Sequence, residues 1–356
     1  MTESPSRPAP MEGAGAYNRN SRVQAAGLLP AVDLLRNAAA RIALAASPVT
    51  IADYGASEGH NSMLPIGAAV AVLRERLPRG APIGVVHTDL PDNDFSGLFR
   101  TIATDPDSYL RDDAAIFPSA VGRSFYGQIL PPASVDLGWS SWAVQWLSRV
   151  PAEVPDQVQV AFSRDPAARA AYAGQAAADW RAFLAARSRE LRGGGRLVVL
   201  TMATDDSGDF GYRPLVEAMF SALEELVGDR FMSADELMRM AIPTYGRTRA
   251  EFSAPFAAGD FEGLTLELFE IFDAEDRIFE DFRKDGDAKA FADRWAAFTR
   301  ASTFPTLASA LEGGGGRRTR EFMDRAEAAI TARLAAKPQR MRIPLAKMVL
   351  ARTSGA

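Results

Sequence analysis

The sequence predicts an α/β protein with a doubly wound, mostly parallel sheet, helices on both faces and a mainly helical cap. Short β-branched and apolar runs alternate with helical patterns, which is typical of a parallel sheet. A glycine-rich turn directly follows the first run, and residues 213–335 show mainly amphipathic helical spacing. A length of 356 residues predicts one large domain with a sizeable insertion, or two domains.

The first half of the chain contains a βαβ unit. After a Pro- and Ser-rich tail, apolar residues recur at helical spacing from Gln24 to about Ala46. The β-branched run PVTIADYG then predicts a strand, GASEGHNSMLPIGAAVAVLRERL a turn and helix, and APIGVVHTDLPDND a second strand. This half, residues 1–150, is therefore predicted to contain an N-terminal arm and the ligand-binding core.

The second half continues the alternation but adds helical segments. SVDLGWSSWAVQWL predicts a buried strand with the loop after it, and residues 151–192 predict an Ala-rich helical insertion. GGGRLVVLTMA predicts a turn and a core strand within 193–212, and RIPLAKMVLAR predicts a last core strand within 336–356. Residues 213–335 are predicted to form the cap over the substrate.

Composition excludes several classes of site and partner. The net charge is only −5 and both signs are interspersed, which argues against a nucleic-acid partner. There is no cysteine and there are two histidines, so cysteine-ligated and histidine-rich metal sites are excluded and no metal is predicted. Without a long apolar run or a signal-peptide pattern, we expect a cytoplasmic protein that does not contact a membrane.

The glycine-rich turn after the first strand is the first candidate site. Ligands of doubly wound sheets bind at the carboxyl ends of the strands, where bare backbone and a helix N-terminus are accessible. Gly55 and Gly59 allow close approach of the backbone, and Asp53, Ser57 and Asn61 offer hydrogen bonds. By itself this pattern leaves open a nucleotide-type cofactor site and a merely tight turn.

The end of the second strand narrows the choice. Asp89 lies where nucleotide-binding folds place a carboxylate that accepts both ribose hydroxyls, whereas Asp94 suits a helix cap. The spacing of Gly55 and Gly59 differs from the G-x-G-x-x-G of dinucleotide-binding proteins. This chain therefore lacks the glycine that allows a pyrophosphate to bind at the helix. An adenosine without a pyrophosphate is therefore favoured.

Several blocks together resemble the plant-type SABATH methyltransferases, which include salicylate, benzoate, jasmonate and indole-acetate carboxyl methyltransferases and xanthine N-methyltransferases. MEGAGAYNRNSRVQ is similar to the family's N-terminal block, and IADYGASEGHNS resembles I-A-D-L-G-C-S-S-G-P-N-T. HTDLPDNDFSGLF, SFYGQILPPASVD, SSWAVQWLSRVP and IPTYGRTRAEF resemble further blocks in the family's order, over nearly the whole chain.

The resemblance implies a class I methyltransferase core with a helical cap, S-adenosylmethionine as cofactor with S-adenosylhomocysteine as its product, and often a homodimer. It implies that Gln24 and Trp146 bind a substrate carboxylate, and that Trp142 and Gln145 line the pocket. The residues that it implies for cofactor binding, together with the glycine turn, are Tyr17, Ser21, Asp53, Gly55, Ser57, Gly59, Asn61, Asp89, Leu90, Ser124 and Phe125. This chain departs from the family at Ala56, Glu58, His60, Trp139 and Trp142, which puts the identity of the substrate in doubt.

The predicted chemistry is methyl-ester formation on a small, largely apolar carboxylic acid. A free carboxylic acid is ionised at neutral pH, since its pKa is near ~4, so in-line displacement needs no general base. Gln24 and Trp146 would orient the carboxylate as neutral donors. The cluster of tryptophans favours an aromatic acid, and a terpenoid or fatty acid would also fit an apolar cap. By contrast, Trp139 is predicted to be core packing and His87 a structural residue.

Three alternatives remain open at this point. The first is N-methylation of a heterocycle, as in the xanthine branch of the family. The second is an NAD(P)-dependent oxidoreductase on a Rossmann core, which the missing G-x-G-x-x-G disfavours. The third is a cofactor-binding or scaffold protein without catalysis.

Overall fold

The computed structural model describes residues 22–44, 48–111, 113–313 and 315–354, and their side chains from residue 31 onward. The strands are β1 (Val49–Tyr54), β2 (Ile83–Asp89), β3 (Ile116–Gly122), β4 (Val135–Ser141), β5 (Leu191–Met202), β6 (Leu264–Asp273) and β7 (Pro344–Arg352). The helices are α1 (Arg22–Arg41), α2 (His60–Arg76), α3 (Phe95–Thr104), α4 (Pro166–Glu190), α5 (Arg213–Gly228), α6 (Ala234–Arg239), α7 (Arg249–Ser253), α8 (Arg277–Asp285), α9 (Ala288–Ser302), α10 (Phe304–Ala308) and α11 (Arg317–Ala336).

The strands form one seven-stranded sheet in the order β3-β2-β1-β4-β5-β7-β6. β1 to β5 run parallel, whereas β7 is antiparallel to both β5 and β6. The strand order reverses between β1 and β4, and such a reversal opens a crevice at the carboxyl ends of the strands. The predicted doubly wound, mostly parallel fold is confirmed.

The central strands are buried because both faces of the sheet are covered. Every residue of β4 except the last is buried, and Trp139 at its centre has no exposed surface. Trp139 therefore belongs to the core, as predicted.

The segment predicted as a helical insertion is a crossover of the sheet. α4 begins after Asp165, whose side chain accepts hydrogen bonds from the first turn, and leads straight into β5. Its residues Trp180, Phe183 and Leu184 are buried against β1 and β5 side chains such as Tyr54 and Leu197. The helix 166–190 is therefore part of the core and covers one face of the sheet.

The cap consists mainly of α5, α9 and α11, and α11 packs against both of the other two helices. Its apolar side chains, including Met219, Trp295 and Phe322, are buried. The range 213–335 also contains β6, an edge strand of the sheet that the helical prediction missed. Among the described residues, no helix has the length and hydropathy needed to cross a membrane.

Candidate functional site

The glycine turn after β1 has the conformation that its sequence predicts. Gly55 and Gly59 both have φ of +89°, where a side chain is strained. A Cβ at Gly55 would also collide with Ala143, and one at Gly59 with Leu98. The amides of Gly55 and Ala56 donate to the carbonyl of Thr88 at 2.9 and 3.0 Å, so the turn is fixed against the end of β2.

Asp89 lies at the centre of this polar edge. Its Oδ2 accepts from the Ser57 amide and its Oδ1 from the Leu90 amide, both at 2.7 Å. Asn93 donates to the Ser57 carbonyl at 2.9 Å and so ties the two loops together. Burial raises the pKa of Asp89 to about 6, although the Ser57 amide opposes this shift. The carboxylate is oriented and keeps lone pairs for the hydroxyls of a bound ribose.

The same edge has buried polar atoms without partners. Ser57 Oγ and Asn61 Oδ1 are buried and have no hydrogen-bond partner among the described residues. Gly59 is the N-cap residue of α2 and provides no side-chain hydrogen bond to that helix. The backbone amides at the start of α2 can therefore donate to a ligand. Since buried polar atoms are normally paired, these atoms fit a polar cofactor beside Asp89.

Asp53 lies behind the turn. Its carboxylate is 1% exposed and bonds His87 Nδ1 at 2.8 Å, while His87 Nε2 bonds the Tyr109 hydroxyl at 2.7 Å. The structural role predicted for His87 is confirmed, because both ring nitrogens are paired inside the protein. Asp53 is thereby engaged in the core, since a buried carboxylate needs an internal partner. Its contact with a cofactor stays a prediction.

The loop after β3 carries Ser124 and Phe125 and reaches the glycine turn. The Phe125 ring lies near Gly55, whereas the Ser124 side chain is exposed. Arg187 of α4 fixes this loop by donating to the carbonyls of Phe125 and Gly127 at 2.9 and 3.0 Å. Arg187 also pairs with Glu190 at 2.9 Å, and both side chains are fully buried. The structure thus brings Phe125 to the predicted cofactor edge and leaves Ser124 at its surface.

A cavity lies between the carboxyl ends of β4 and β5 and the cap. It contains about 640 Å³ of empty space, counted to its open mouth. Its walls are Trp142, Gln145, Trp146, Gln159, Met202, Phe210, Tyr212, Leu215, Val216, Met219, Ile242, Thr244, Phe298, Thr299, Ser302 and Thr303. None of these described lining residues is charged, so the cavity suits an apolar ligand held by neutral groups.

The loop after β4 connects the cavity with the cofactor edge. Trp142, Gln145 and Trp146, all predicted for the substrate pocket, line the cavity. Ala143 lies between them in sequence and packs against Gly55. Arg247, which is 1% exposed, holds the loop by donating to the Val144 carbonyl at 2.7 Å. The two predicted sites are therefore adjacent.

Three predicted residues fall outside this description. Tyr17 and Ser21 lie outside the described residues. Gln24 lies in α1, but its side chain is among those not described. Their predicted roles in binding the cofactor and the carboxylate remain predictions.

Sequence reasoning missed most walls of the cavity. Phe210, Tyr212, Thr244 and Phe298 line it but belong to no polar motif. The Pro/Tyr/Gly break near 242–247, in an otherwise helical region, was a signal for one wall. No sequence signal marked Phe298, which is one of many apolar residues on amphipathic helices. Among the described residues there is no cluster of three or more acidic or histidine side chains suited to a metal ion.

Comparison with known proteins identifies the family. A sequence profile described as SAM dependent carboxyl methyltransferase matches residues 9–352. A methyltransferase named LUC1 from a Fusarium species is 32% identical over 67% of this chain and 64% of its own length, so the chain spans just under two thirds of that relative. The farnesoic acid carboxyl-O-methyltransferase of Arabidopsis thaliana is 26% identical over 73% of this chain and 77% of its own.

A solved structure has the same fold. Loganic acid methyltransferase with SAH superposes with a TM-score of 0.75 over 97% of this chain and 99% of its own, at 22% identity. That likeness supports the class I methyltransferase fold, and the profile match over residues 9–352 supports the resemblance described above. The chain belongs to the family of SAM-dependent carboxyl methyltransferases.

Proposed function

We propose that this protein transfers a methyl group from S-adenosylmethionine to the carboxylate of a small, largely apolar acid and releases the methyl ester. The observation that carries the proposal is the uncharged cavity, which adjoins the Asp89 edge through the contact of Ala143 with Gly55. Relatives are named for farnesoic acid and for salicylate and benzoate, which are acids of different shape. The family thus supports an acid substrate without selecting one.

The cofactor would be held at the polar edge. Asp89 would accept hydrogen bonds from the ribose hydroxyls. The unpartnered Ser57 Oγ and Asn61 Oδ1 would form hydrogen bonds with polar groups of the cofactor. Phe125 would cover it from the loop that Arg187 fixes. When bound there, S-adenosylmethionine supplies an electrophilic methyl group on sulfur.

The acid would be held by neutral donors. We assign its carboxylate to the indole N–H of Trp146 and the amide of Gln24, as the resemblance implies. Without Arg or Lys among the described walls, the carboxylate forms no ion pair that would lower its nucleophilicity. The apolar walls exclude water that would otherwise solvate the attacking oxygen.

The walls favour an aromatic acid. Trp142, Phe210 and Phe298 present aromatic rings to the cavity, and aromatic rings stack favourably on flat ligands. Met219 and Leu215 complete the surface with aliphatic atoms, which also accept a terpenoid chain. A benzoate- or indole-type acid is therefore our first choice and a terpenoid acid the second.

The test is a methyl-transfer screen with labelled S-adenosylmethionine and purified protein. The acids are salicylate, benzoate, indole-3-acetate and farnesoate, with xanthine as the heterocycle and NADH binding measured in parallel. We expect a methyl ester of at least one aromatic acid. Turnover of xanthine alone would favour N-methylation, and binding of NADH without S-adenosylmethionine would refute the proposal. Cofactor binding without turnover of any substrate would favour a role without catalysis.

The resemblance also leads us to propose a homodimer in the cytoplasm. Sedimentation equilibrium of the full chain would test the first statement, and localisation of a tagged chain in its native cell would test the second. A monomer at micromolar concentration would refute the dimer.

A further inference from the structure

Trp142 has a strained backbone. Its φ is +54°, in the left-handed region that bulky residues other than glycine rarely adopt. The strain is held by two hydrogen bonds, since its amide donates to the Leu200 carbonyl at 2.8 Å and its carbonyl accepts from Gln145 Nε2 at 2.6 Å. Strain of this kind persists only where the surroundings enforce it, and it is concentrated at functional sites.

The side chain of Gln145 holds the loop in this conformation, and with Thr201 it forms a clamp on Trp142. It is 3% exposed, and its Oε1 accepts from the Thr201 hydroxyl at 2.8 Å. With Nε2 on Trp142 and Oε1 on Thr201, the orientation of the amide is fixed. Gln145 therefore lines the cavity while its side chain is hydrogen-bonded to Trp142 and to Thr201.

The indole of Trp142 has an unused donor. Trp142 lines the cavity and is 5% exposed, and its Nε1 is buried with no partner among the described residues. Trp139 and Trp295 also have an unpartnered Nε1, but neither is among the residues that line the cavity. Among the described residues, Trp142 and Tyr212 both combine an unpartnered buried donor with the cavity wall and a positive φ, of +54° and +58°. Of these two, Trp142 alone has a neighbour, Ala143, that packs against the glycine turn of the cofactor site.

We propose that the indole N–H of Trp142 donates a hydrogen bond to the substrate carboxylate, and that Gln145 and Thr201 are the positioning pair that holds Trp142 in its strained conformation for this contact. The inference rests on the proposed function and extends it. A carboxylate bound by this donor together with Trp146 is oriented by two indoles on one loop. A donor to an ionised group gives a stronger hydrogen bond than one to a neutral ester.

The experiment compares an acid with its own methyl ester. The probe is the acid that the wild type methylates fastest among salicylate, benzoate, indole-3-acetate and farnesoate. Its dissociation constant, and that of its methyl ester, are measured by calorimetry with the protein saturated with S-adenosylhomocysteine. Trp142→Phe removes the donor and keeps an aromatic ring, so we expect acid binding to weaken about tenfold or more and ester binding to change less than about twofold.

Three further variants make the test specific. Trp139→Phe removes an equally unpartnered N–H from the core and is expected to leave the ratio of acid to ester affinity unchanged. Gln145→Leu and Thr201→Val loosen the clamp and are expected to weaken acid binding about threefold while the affinity for S-adenosylhomocysteine stays within about twofold. A cooperative thermal unfolding transition is measured for each variant as the check that it is folded.

The outcomes separate the two proposals. A wild type that neither binds nor methylates any of the acids overturns the proposed function and the role of Trp142 with it. A wild type that methylates an acid, with a Trp142→Phe variant that keeps its acid affinity or loses acid and ester affinity equally, overturns the role of Trp142 alone. Unchanged acid binding in both Gln145→Leu and Thr201→Val overturns the positioning pair.

Discussion

The two halves of the site are built in different ways. The predicted cofactor edge is formed by two short stretches of chain, 53–61 and 89–93, whose backbone hydrogen bonds set its shape. The cavity takes its walls from separate stretches between 142 and 303, and its shape depends on side-chain volume. We therefore expect the local motifs to determine cofactor binding and the packing of distant segments to determine which acid is accepted.

The largest effect is expected at the polar edge. Asp89→Ala removes the acceptor of the ribose hydroxyls and the anchor of the Ser57 amide, so we expect S-adenosylhomocysteine to bind about 100-fold more weakly by calorimetry. Asp92→Ala is the matched control, because Asp92 is an exposed carboxylate in the same loop. Wild-type affinity in Asp89→Ala would show that this edge does not hold the ribose.

A smaller and selective effect is expected in the cavity. Trp146→Phe removes an indole donor but keeps the backbone carbonyl that accepts from the Tyr126 hydroxyl. We expect kcat/KM for the acid to fall about tenfold, while the affinity for S-adenosylhomocysteine is unchanged. Equal losses in both measurements would mean that the edge and the cavity are not independent.

We expect ligand binding to depend on pH only at the polar edge that contains Asp89. The pKa of Asp89 is raised from 3.8 to about 6, so the free protein holds this proton until the pH rises past 6. Hydroxyl donors favour the ionised carboxylate, so cofactor binding releases a proton and should weaken as the pH falls below 6, by about fourfold at pH 5.5. Calorimetry at pH 5.5 and 7.5 measures this, and Asp89→Asn should lose the dependence. A pH dependence that persists in the variant would assign it to another group.

The raised pKa of Asp89 also affects the stability of the fold, and in this case low pH is the favourable condition. Because the folded protein binds the Asp89 proton more tightly than the unfolded chain, the contribution of this group favours folding below about pH 3.8 and is lost as the pH rises through 6. Bound cofactor should offset this cost at neutral pH, since it lowers the pKa of the same carboxylate.

The smallest effect is expected from Tyr212. Its hydroxyl is buried without a partner among the described residues, and burial raises its pKa well above 10. Tyr212→Phe breaks no hydrogen bond, so urea unfolding should show a free energy unchanged or higher by up to about 1 kcal/mol. kcat/KM for the acid should stay within about twofold. A larger loss would make this hydroxyl a substrate contact and the cavity less apolar than proposed.

The predictability of the fold follows the strength of the local patterns. β1, β2, β4, β5 and β7 were found because β-branched and apolar runs end in turns. β3 was missed, since Pro118 argues against a strand and an edge strand tolerates it. β6 was assigned to helix because the alternation of Leu264, Leu266 and Leu268 ends at Phe269, within a range of mainly helical spacing.

The site shows the same limit. The turn at Gly55 and the carboxylate of Asp89 were predicted because their spacing alone determines their position. The pairing of Asp53 with His87 was not predicted, since it joins two strands side by side and depends on the register of β1 against β2. The hydrogen bonds that hold Trp142 were also not predicted, because nothing in the sequence pattern indicates a positive φ at a tryptophan.

The division of the cavity among separate stretches has a consequence for changing the substrate of the proposed reaction. Trp142 and Trp146 come from the loop that packs on the cofactor turn, whereas Leu215 and Met219 of α5 and Phe298 of α9 come from the cap. Replacing Met219 or Phe298 with a smaller residue is expected to lengthen the cavity without changing Trp142 and Trp146, to which we assign the substrate carboxylate. Substitutions in one wall of the cavity could then change which acid binds, while the methyl donor and the attacking carboxylate stay the same.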